Sequence, residues 1–316
     1  LDLIYWNYYT NDFKVFDAKL KTHKSFNNNV VFAGGAWSWT GITPHNIYSI
    51  LNNGAALKAC AENGIDDVII TEWKDDGAES SLFSVLPALM FAAENYRGNY
   101  DERDIKTKFE KIFGIDCDGF MSLDLPDLLD GKYTSNNPTK YMLFSDPFLG
   151  WLDSTVDESK AGIFAQAKAE IDRYRNDNNY GYIFETSSAL CDMMSIKYTL
   201  GVRTRKAYQS KNKDEIAKII IDYDELYKRV QTLYASFRAQ WDRECKLNGF
   251  EHHDMRYGAL LMRIQHCREI LSEYVSGKRE SISALDDNIL PFNGQCGKTI
   301  RYIAWAPNSL IKYSED

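Results

Sequence analysis

The chain has 316 residues, of which 37 are Lys or Arg and 45 are Asp or Glu, giving a formal net charge of −8. That sign disfavours nucleic acid as a partner, because nucleic-acid binding needs a basic surface, and it equally disfavours a polybasic contact with a membrane. Hydrophobic residues make up 44% of the chain, which supplies a packed core and excludes wholesale disorder. No apolar run approaches the ~20 residues of a membrane span.

The chain opens on the run LDLIYW, which lacks an initiator Met and the charged start of a signal peptide and is typical of a buried strand. We therefore expect it to be the C-terminal portion of a longer polypeptide. Its six cysteines form no CxxC pair and have no histidine at a zinc-site spacing, so no metal or other cofactor is expected. Such cysteine usage favours a reducing compartment, and hence the cytoplasm.

In the first part of the chain, short apolar runs alternate with helical patterns. The β-α-β-α-β-α order implies parallel strands joined by crossover helices, that is, an α/β fold. Three strands cannot close a barrel, which is a second reason to expect missing upstream elements. The predicted strands are Leu3–Tyr8, Val30–Trp37 and Val68–Trp73, and the predicted helices are Asp12–Lys24, Ser49–Asn63 and Ser80–Tyr96.

Beyond residue 150 the pattern changes to long helices, which could also mediate a homodimer. Before them, Asp101–Phe113 is predicted to be helical, and Asp130–Pro147 is predicted to be a surface connection because it is rich in turn residues. The tail Thr299–Lys312 is predicted to be one more strand or an ordered strap. The long helices are predicted at Asp157–Arg175, Gly181–Gln209, Lys213–Lys246 and Asp254–Val275. The third of these carries an apolar stripe for helix packing: Ile216, Ile219, Tyr223, Leu226, Val230, Leu233, Phe237 and Trp241.

Aromatic and acidic residues follow each of the three predicted strands. Because the carboxyl ends of parallel strands hold the site in α/β barrels, these residues are the first candidates for chemistry. A sugar ring offers an apolar face that an indole can cover and hydroxyls that donate hydrogen bonds to carboxylates. Trp73, followed two residues later by Asp75, could supply both to one ring. The alternative is that the tryptophans fill the core and the acids cap the next helix.

Three segments, YWNYY, VVFAGGAWSWTG followed by PHN, and VIITEWKDDGAE, together resemble glycoside hydrolase family 20, the β-N-acetylhexosaminidases. The resemblance extends to the helical part, where RYRNDNNYGYIFETSSALCDMMSIKYTLGVRTRKAY and FRAQWDRECKLNGFEHHDMRYGALLMRIQHCREIL look like the family's helical C-terminal domain. It implies the C-terminal part of a (β/α)8 TIM barrel followed by an α-helical domain. Residues 1–98 would be the last three β/α units of the barrel, 99–150 a connecting segment, and 151–316 the helical domain.

The resemblance also implies a reaction: removal of terminal β-linked GlcNAc or GalNAc with retention, with the substrate's acetamido oxygen as nucleophile. In the family an Asp–Glu pair in an HxGGDE-type motif follows the fourth strand, and the Glu serves as general acid and base. This sequence contains no such motif, and its strands match the sixth to eighth of the barrel. The pair is therefore expected upstream of Leu1, and the isolated chain is expected to be inactive. Its expected partners are an N-acetylated amino-sugar glycan and the N-terminal part of the same enzyme.

The resemblance also assigns the other pocket residues of the family to single positions in this sequence. Tyr8 looks like the family tyrosine that hydrogen-bonds the acetamido carbonyl, with Tyr9 as the alternative register. Trp73 looks like the tryptophan at the pocket floor, and Asp75 holds the position of the carboxylate that binds the sugar's O4 and O6 hydroxyls. Many relatives have Trp-Gly-Asp-Asn there, so Lys74 is a departure. Two tryptophans could line the pocket or the leaving-group side: Trp37 and Trp39.

Two other functions stay open. The chain could be a non-catalytic carbohydrate-binding or helical assembly module that uses its aromatic strand ends without chemistry. It could also be another barrel glycosidase whose acid and base are Glu72 with Asp75 or Asp76. Sugar affinity of the chain alone would favour the first of these, and retained hydrolysis by the chain alone would favour the second.

Overall fold

A computed structural model describes residues 1–75 and 77–289 of the chain. The described residues form two compact units: residues 1–136 with 176–178, and residues 137–175 with 179–289. The predicted connecting segment 99–150 is thus divided between the units. Asp76, Cys296 and the predicted tail Thr299–Lys312 lie outside the described residues.

The first unit is built on a parallel three-stranded sheet with the order β1-β2-β3. The strands are β1 (Leu3–Trp6), β2 (Val30–Gly35) and β3 (Asp67–Thr71). All three strands were expected and are confirmed, as is their parallel pairing, although each ends two residues earlier than predicted. The sequence pattern could not place those ends, since aromatic residues continue past them.

Five helices accompany this sheet within the described part of the first unit. They are α1 (Phe13–Lys24), α2 (Asn46–Glu62), α3 (Leu86–Tyr96), α4 (Glu102–Phe113) and α5 (Cys117–Met121). Two predicted helix starts are N-caps instead, because the carboxylates of Asp12 and Asp101 accept hydrogen bonds from backbone N–H groups of the first turn. One face of the sheet packs on α1 and α2 through a core that includes Tyr5, Phe16 and Phe32.

The second unit is helical. Its helices are α6 (Pro138–Phe144), α7 (Ile163–Ile171), α8 (Gly181–Gln209), α9 (Lys213–Glu244), α10 (Phe250–Val275) and α11 (Ser283–Asp286). Helix α8 packs against α7 and α9, and α9 packs against α10. The predicted apolar stripe of α9 is confirmed, because all eight of its residues are buried. No helix in the described ranges of either unit is long and apolar enough to cross a membrane.

The prediction of a surface connection at Asp130–Pro147 is wrong for its central part. Residues 138–144 form α6, and every side chain in that helix is buried. The physical reason is that Pro138 stands in the first turn, where a missing N–H costs nothing and the fixed φ suits a helix. The same Pro that indicates a turn in the sequence therefore starts a buried helix that packs on α8.

Candidate active site at the carboxyl edge of the sheet

The carboxyl ends of the three strands lie side by side. Trp6 of β1 pairs in register with Ala33 of β2, and Gly35 of β2 pairs with Thr71 of β3. Because the strands are parallel, the segments that follow them leave the sheet at the same edge. The aromatic and acidic residues singled out in the sequence are in these segments.

One face of the sheet is largely uncovered in this unit. Residues in register across a parallel sheet point to the same side, so Trp6, Ala33 and Ile69 form one row. Trp6 is 44% exposed and Ile69 is 45% exposed, while Ala33 between them is buried; Tyr5, on the opposite face, is buried against α1. The face away from the helices is therefore open along its two outer strands, where Trp6 and Ile69 are exposed, and its carboxyl edge carries the candidate site.

Tyr8 is at the centre of this site. Its ring centroid lies 4.7 Å from that of Tyr9 and 5.2 Å from that of Trp39, the latter edge-on. Burial is the main cause that raises the pKa of Tyr8, and Tyr9 raises it further. The Trp73 indole N–H lowers that pKa as a hydrogen-bond donor, while the charge of Asp75 raises it. Tyr9 and Trp39 thus pack near the Tyr8 ring, and Trp73 and Asp75 change the pKa of its hydroxyl. All four were named from the sequence.

Trp73 offers an accessible aromatic surface beside Tyr8. Its side chain is 37% exposed, and its ring lies 5.7 Å from that of Trp6 with the planes inclined by 36°. Asp75, two residues on, is exposed. An open indole beside a phenol and a carboxylate is an arrangement that can cover a sugar ring and accept hydrogen bonds from its hydroxyls.

Trp37 and Trp39 occupy a different place from the other predicted site residues. They are only 1% and 5% exposed, and their rings are stacked at 4.2 Å with an interplanar angle of 24°. The indole N–H of Trp37 donates a hydrogen bond of 2.9 Å to the backbone carbonyl of Tyr8. Both tryptophans therefore lie behind the Tyr8 ring and are connected to the site by their contacts with Tyr8.

Lys74, which replaces the glycine common in the resembling family, points toward the loop that follows β3. Its Nζ lies 3.3 Å from the Glu72 carboxylate and donates a 2.8 Å hydrogen bond to the carbonyl of Ser80. The Ser38 hydroxyl donates to the same Glu72 carboxylate at 3.3 Å. Glu72 is thus engaged by a cation and a hydroxyl, which is the environment of a structural carboxylate more than of a free general base.

Sequence reasoning missed a buried acidic cluster at the N-terminus of α2. Asp124 accepts hydrogen bonds of 2.8 Å from the backbone N–H groups of both Asn46 and Ile47, and so caps the helix. His45, which directly precedes the helix, makes no capping hydrogen bond with its side chain. Asp127 accepts a 2.6 Å hydrogen bond from Thr43. No local pattern could reveal this cap, because Asp124 is 78 residues from Asn46.

Burial raises the pKa of Asp124 to about 7, although hydrogen bonds from Ile47 and Asn46 oppose that shift. The native state then holds a proton that the unfolded chain releases near its ordinary pKa of 3.8. Between these values the native state binds more protons, so a rise in pH destabilises it. The unfolding free energy of wild type minus that of Asp124→Asn should decrease by on the order of 3 kcal/mol when the pH rises from about 4.5 to about 7.5. Urea unfolding at both pH values measures this.

An exposed carboxylate gives a matched control of opposite sign. Hydrogen bonding to Lys108 lowers the pKa of Asp104, so its stabilising contribution is present at neutral pH and is lost as the pH falls through the native pKa. Relative to Asp104→Asn, wild type should therefore gain stability as the pH rises. A difference between wild type and Asp124→Asn that does not change with pH would contradict the assignment of a raised pKa to Asp124.

Within residues 1–75 and 77–289, no group of three or more His, Cys, Asp or Glu side chains is arranged to hold a metal ion. The candidate site itself consists of aromatic and carboxylate groups. They can stack on a ring, donate one phenolic hydrogen bond and accept others.

Residues 118–303, more than half of the chain, match the protein family described as "Glycoside Hydrolase 20C C-terminal domain". No curated protein matches the chain. Among solved structures, the chain is similar to a "GH138 enzyme targeting pectin rhamnogalacturonan II", with 13% sequence identity and a TM-score of 0.42. The match covers 86% of this chain and 53% of that one, so the chain spans about half the length of that protein.

Proposed function

Since the chain belongs to glycoside hydrolase family 20 through its 20C C-terminal domain, we propose that it is the C-terminal part of a retaining exo-β-N-acetylhexosaminidase. In this proposal the chain supplies one wall of the pocket that binds the terminal sugar. The Asp–Glu pair, whose Glu transfers the protons, belongs to a preceding part of the same enzyme, because the sequence holds no HxGGDE-type motif.

One observation carries the proposal: Trp73 and Asp75, which follow β3, both act on the Tyr8 phenol, which follows β1, at the carboxyl edge of a parallel sheet. The half-exposed Trp73 would stack on the apolar face of an N-acetylhexosamine. The exposed Asp75 would accept hydrogen bonds from hydroxyls on the far side of the ring, at O4 and O6. Together these contacts select a terminal residue, because the hydroxyls that Asp75 would bind must be free.

In the proposed reaction the substrate's acetamido oxygen attacks the anomeric carbon while the bond to the leaving oxygen breaks. The upstream Glu protonates that leaving oxygen. Water, deprotonated by the same Glu, then opens the oxazoline ring, and two inversions leave the β configuration retained. Tyr8 would donate its O–H to the acetamido oxygen and orient it for attack. The Tyr8 phenol is protonated at neutral pH and able to donate, since burial raises its pKa further above the ordinary value of 10.0.

The open face of the sheet supports an upstream partner. Trp6 and Ile69 are about half exposed on that face, and within the described residues β1 and β3 each pair with β2 alone. Unpaired strand edges and an apolar face are normally covered in folded proteins. We propose that preceding strands of the same enzyme cover this face and complete a (β/α)8 barrel.

An assay of the full-length polypeptide beside this chain alone tests the proposal. The full-length protein should hydrolyse an aryl N-acetyl-β-glucosaminide, with the β anomer as the first product by proton NMR, and the chain alone should not. Hydrolysis by the chain alone would favour Glu72 with Asp75 as acid and base. Sugar binding by the chain alone, measured by calorimetry, with no hydrolysis by the full-length protein, would identify a non-catalytic module.

A further inference from the structure

We infer that Trp37 and Trp39 are positioning residues that fix the ring and backbone of Tyr8, and that they do not contact the sugar themselves. The packing part of this inference stands on the structure alone. The effect of that packing on the substrate rests on the proposed function.

The two indoles hold Tyr8 by independent contacts. Trp37 donates its indole N–H to the Tyr8 carbonyl at 2.9 Å, which anchors the backbone. The rings of Trp37 and Trp39 both meet the Tyr8 ring edge-on, with centroids 5.8 Å and 5.2 Å away. Edge-to-face aromatic pairs have a defined geometry, so two of them restrict the torsion angles of the phenol.

Gly35, the last residue of β2, allows this contact. A Cβ atom at that position would lie 2.8 Å from Cη2 of Trp39 and 3.3 Å from Cδ1 of Tyr8. The shorter distance is below what side-chain packing tolerates, and the Trp39 ring is held in a stack that cannot simply swing away. Glycine is therefore required here for close approach of the strand to the two rings.

The stack is itself tied to α2. The Trp37 N–H donates to the Ser49 hydroxyl at 2.8 Å, and the His45 N–H donates to the Trp37 carbonyl at 2.9 Å. The Asn53 side-chain amide donates to the Gly35 carbonyl at 2.9 Å. Gly35 and Trp37, at the start of the loop that carries both tryptophans, are therefore bonded to α2, and His45, which precedes that helix, is bonded back to Trp37. A rigid support of this kind suits a group that must orient an acetamide to within a fraction of an ångström.

A spectroscopic experiment on this chain tests the packing without any catalysis. 3-Fluorotyrosine placed at position 8 reports ring motion by its ¹⁹F linewidth and ionisation by its shift against pH. In Trp39→Ala we expect a shifted resonance of altered width and a lower ionisation midpoint, because water reaches the phenol. Trp39→Phe should restore most of the wild-type signal. Phe16→Leu, a buried change in the core on the opposite face of the sheet, should leave the resonance unchanged.

Gly35→Ala gives a second, independent test through the clash with Trp39. We expect this substitution to shift the fluorine resonance, although it changes no aromatic residue. If Trp39→Ala does not fold, Gly35→Ala decides the question. Wild-type position and width in every folded variant would overturn the inference.

Kinetics of the full-length enzyme then connect packing to catalysis. In Trp39→Ala we expect kcat to fall about tenfold or more with little change in KM, because a misplaced Tyr8 impairs attack more than binding. Equal kcat in wild type and variant would overturn the catalytic part. A wild-type enzyme that hydrolyses no hexosaminide would refute the proposed function and leave the fluorine result standing.

Discussion

Replacing Trp73 with alanine should lower kcat/KM of the full-length enzyme for an aryl N-acetyl-β-glucosaminide by about 100-fold or more. Two effects combine. The sugar loses its stacking surface, and Tyr8 loses the indole N–H that acts on its oxygen. The side chain is 37% exposed, so its removal should cost the fold little. Steady-state kinetics together with a thermal unfolding curve measure both quantities.

Two controls separate stacking from general damage. Trp73→Phe keeps an aromatic face but loses the N–H donor, so its kcat/KM should lie between the values for wild type and Trp73→Ala. Phe26→Ala removes another exposed aromatic side chain, 63% accessible in this chain, and should leave kinetics unchanged. Wild-type kinetics in a folded Trp73→Ala enzyme would show that this indole does not bind the substrate.

Arg205→Met should destabilise the helical unit by about 3 kcal/mol and lower its melting temperature by roughly 10 °C. Arg205 is buried, and its guanidinium lies 4.0 Å from the Asp153 carboxylate. Methionine fills similar volume but donates nothing, so buried acceptors lose their partner and Asp153 loses a neighbouring cation. Four backbone carbonyls accept hydrogen bonds from Arg205: those of Phe148, Ala284, Leu285 and Asp287.

Urea unfolding followed by far-UV circular dichroism gives this free energy. Arg238→Met is the matched control, because Arg238 is 59% exposed and its contact with Asp242 is an i,i+4 surface pair at 3.7 Å. It should change stability by less than about 0.5 kcal/mol. Equal effects of the two substitutions would mean that the buried hydrogen bonds of Arg205 contribute nothing to stability.

The elements of this fold are largely predictable from sequence because their signals are local. The apolar stripe of α9 repeats every three or four residues, and all of its members are buried. The strands are short apolar, β-branched and aromatic runs, and their order implied parallel pairing. The ends of the strands were placed too late, since a tyrosine or tryptophan satisfies a strand pattern equally well when it packs in a loop.

The candidate site was only partly predictable, for reasons of tertiary structure. Tyr8, Trp73 and Asp75 follow strand ends, and parallel pairing brings strand ends together. By contrast, nothing in the spacing of Trp37 and Trp39 distinguishes a ligand-facing indole from one stacked behind another residue. The cap of α2 by Asp124 joins residues 78 positions apart. Such contacts depend on how the chain packs, which periodicity and turn chemistry do not encode.

A crystal structure of the full-length enzyme with bound N-acetylglucosamine is the most direct test of the central claim. The pyranose ring should lie at about 4 Å from the Trp73 indole. The acetamido oxygen should lie about 2.6–3.0 Å from the Tyr8 hydroxyl, and a sugar hydroxyl should donate to Asp75. Well-ordered sugar that touches none of Tyr8, Trp73 and Asp75 would contradict the assignment of this edge of the sheet as the substrate pocket.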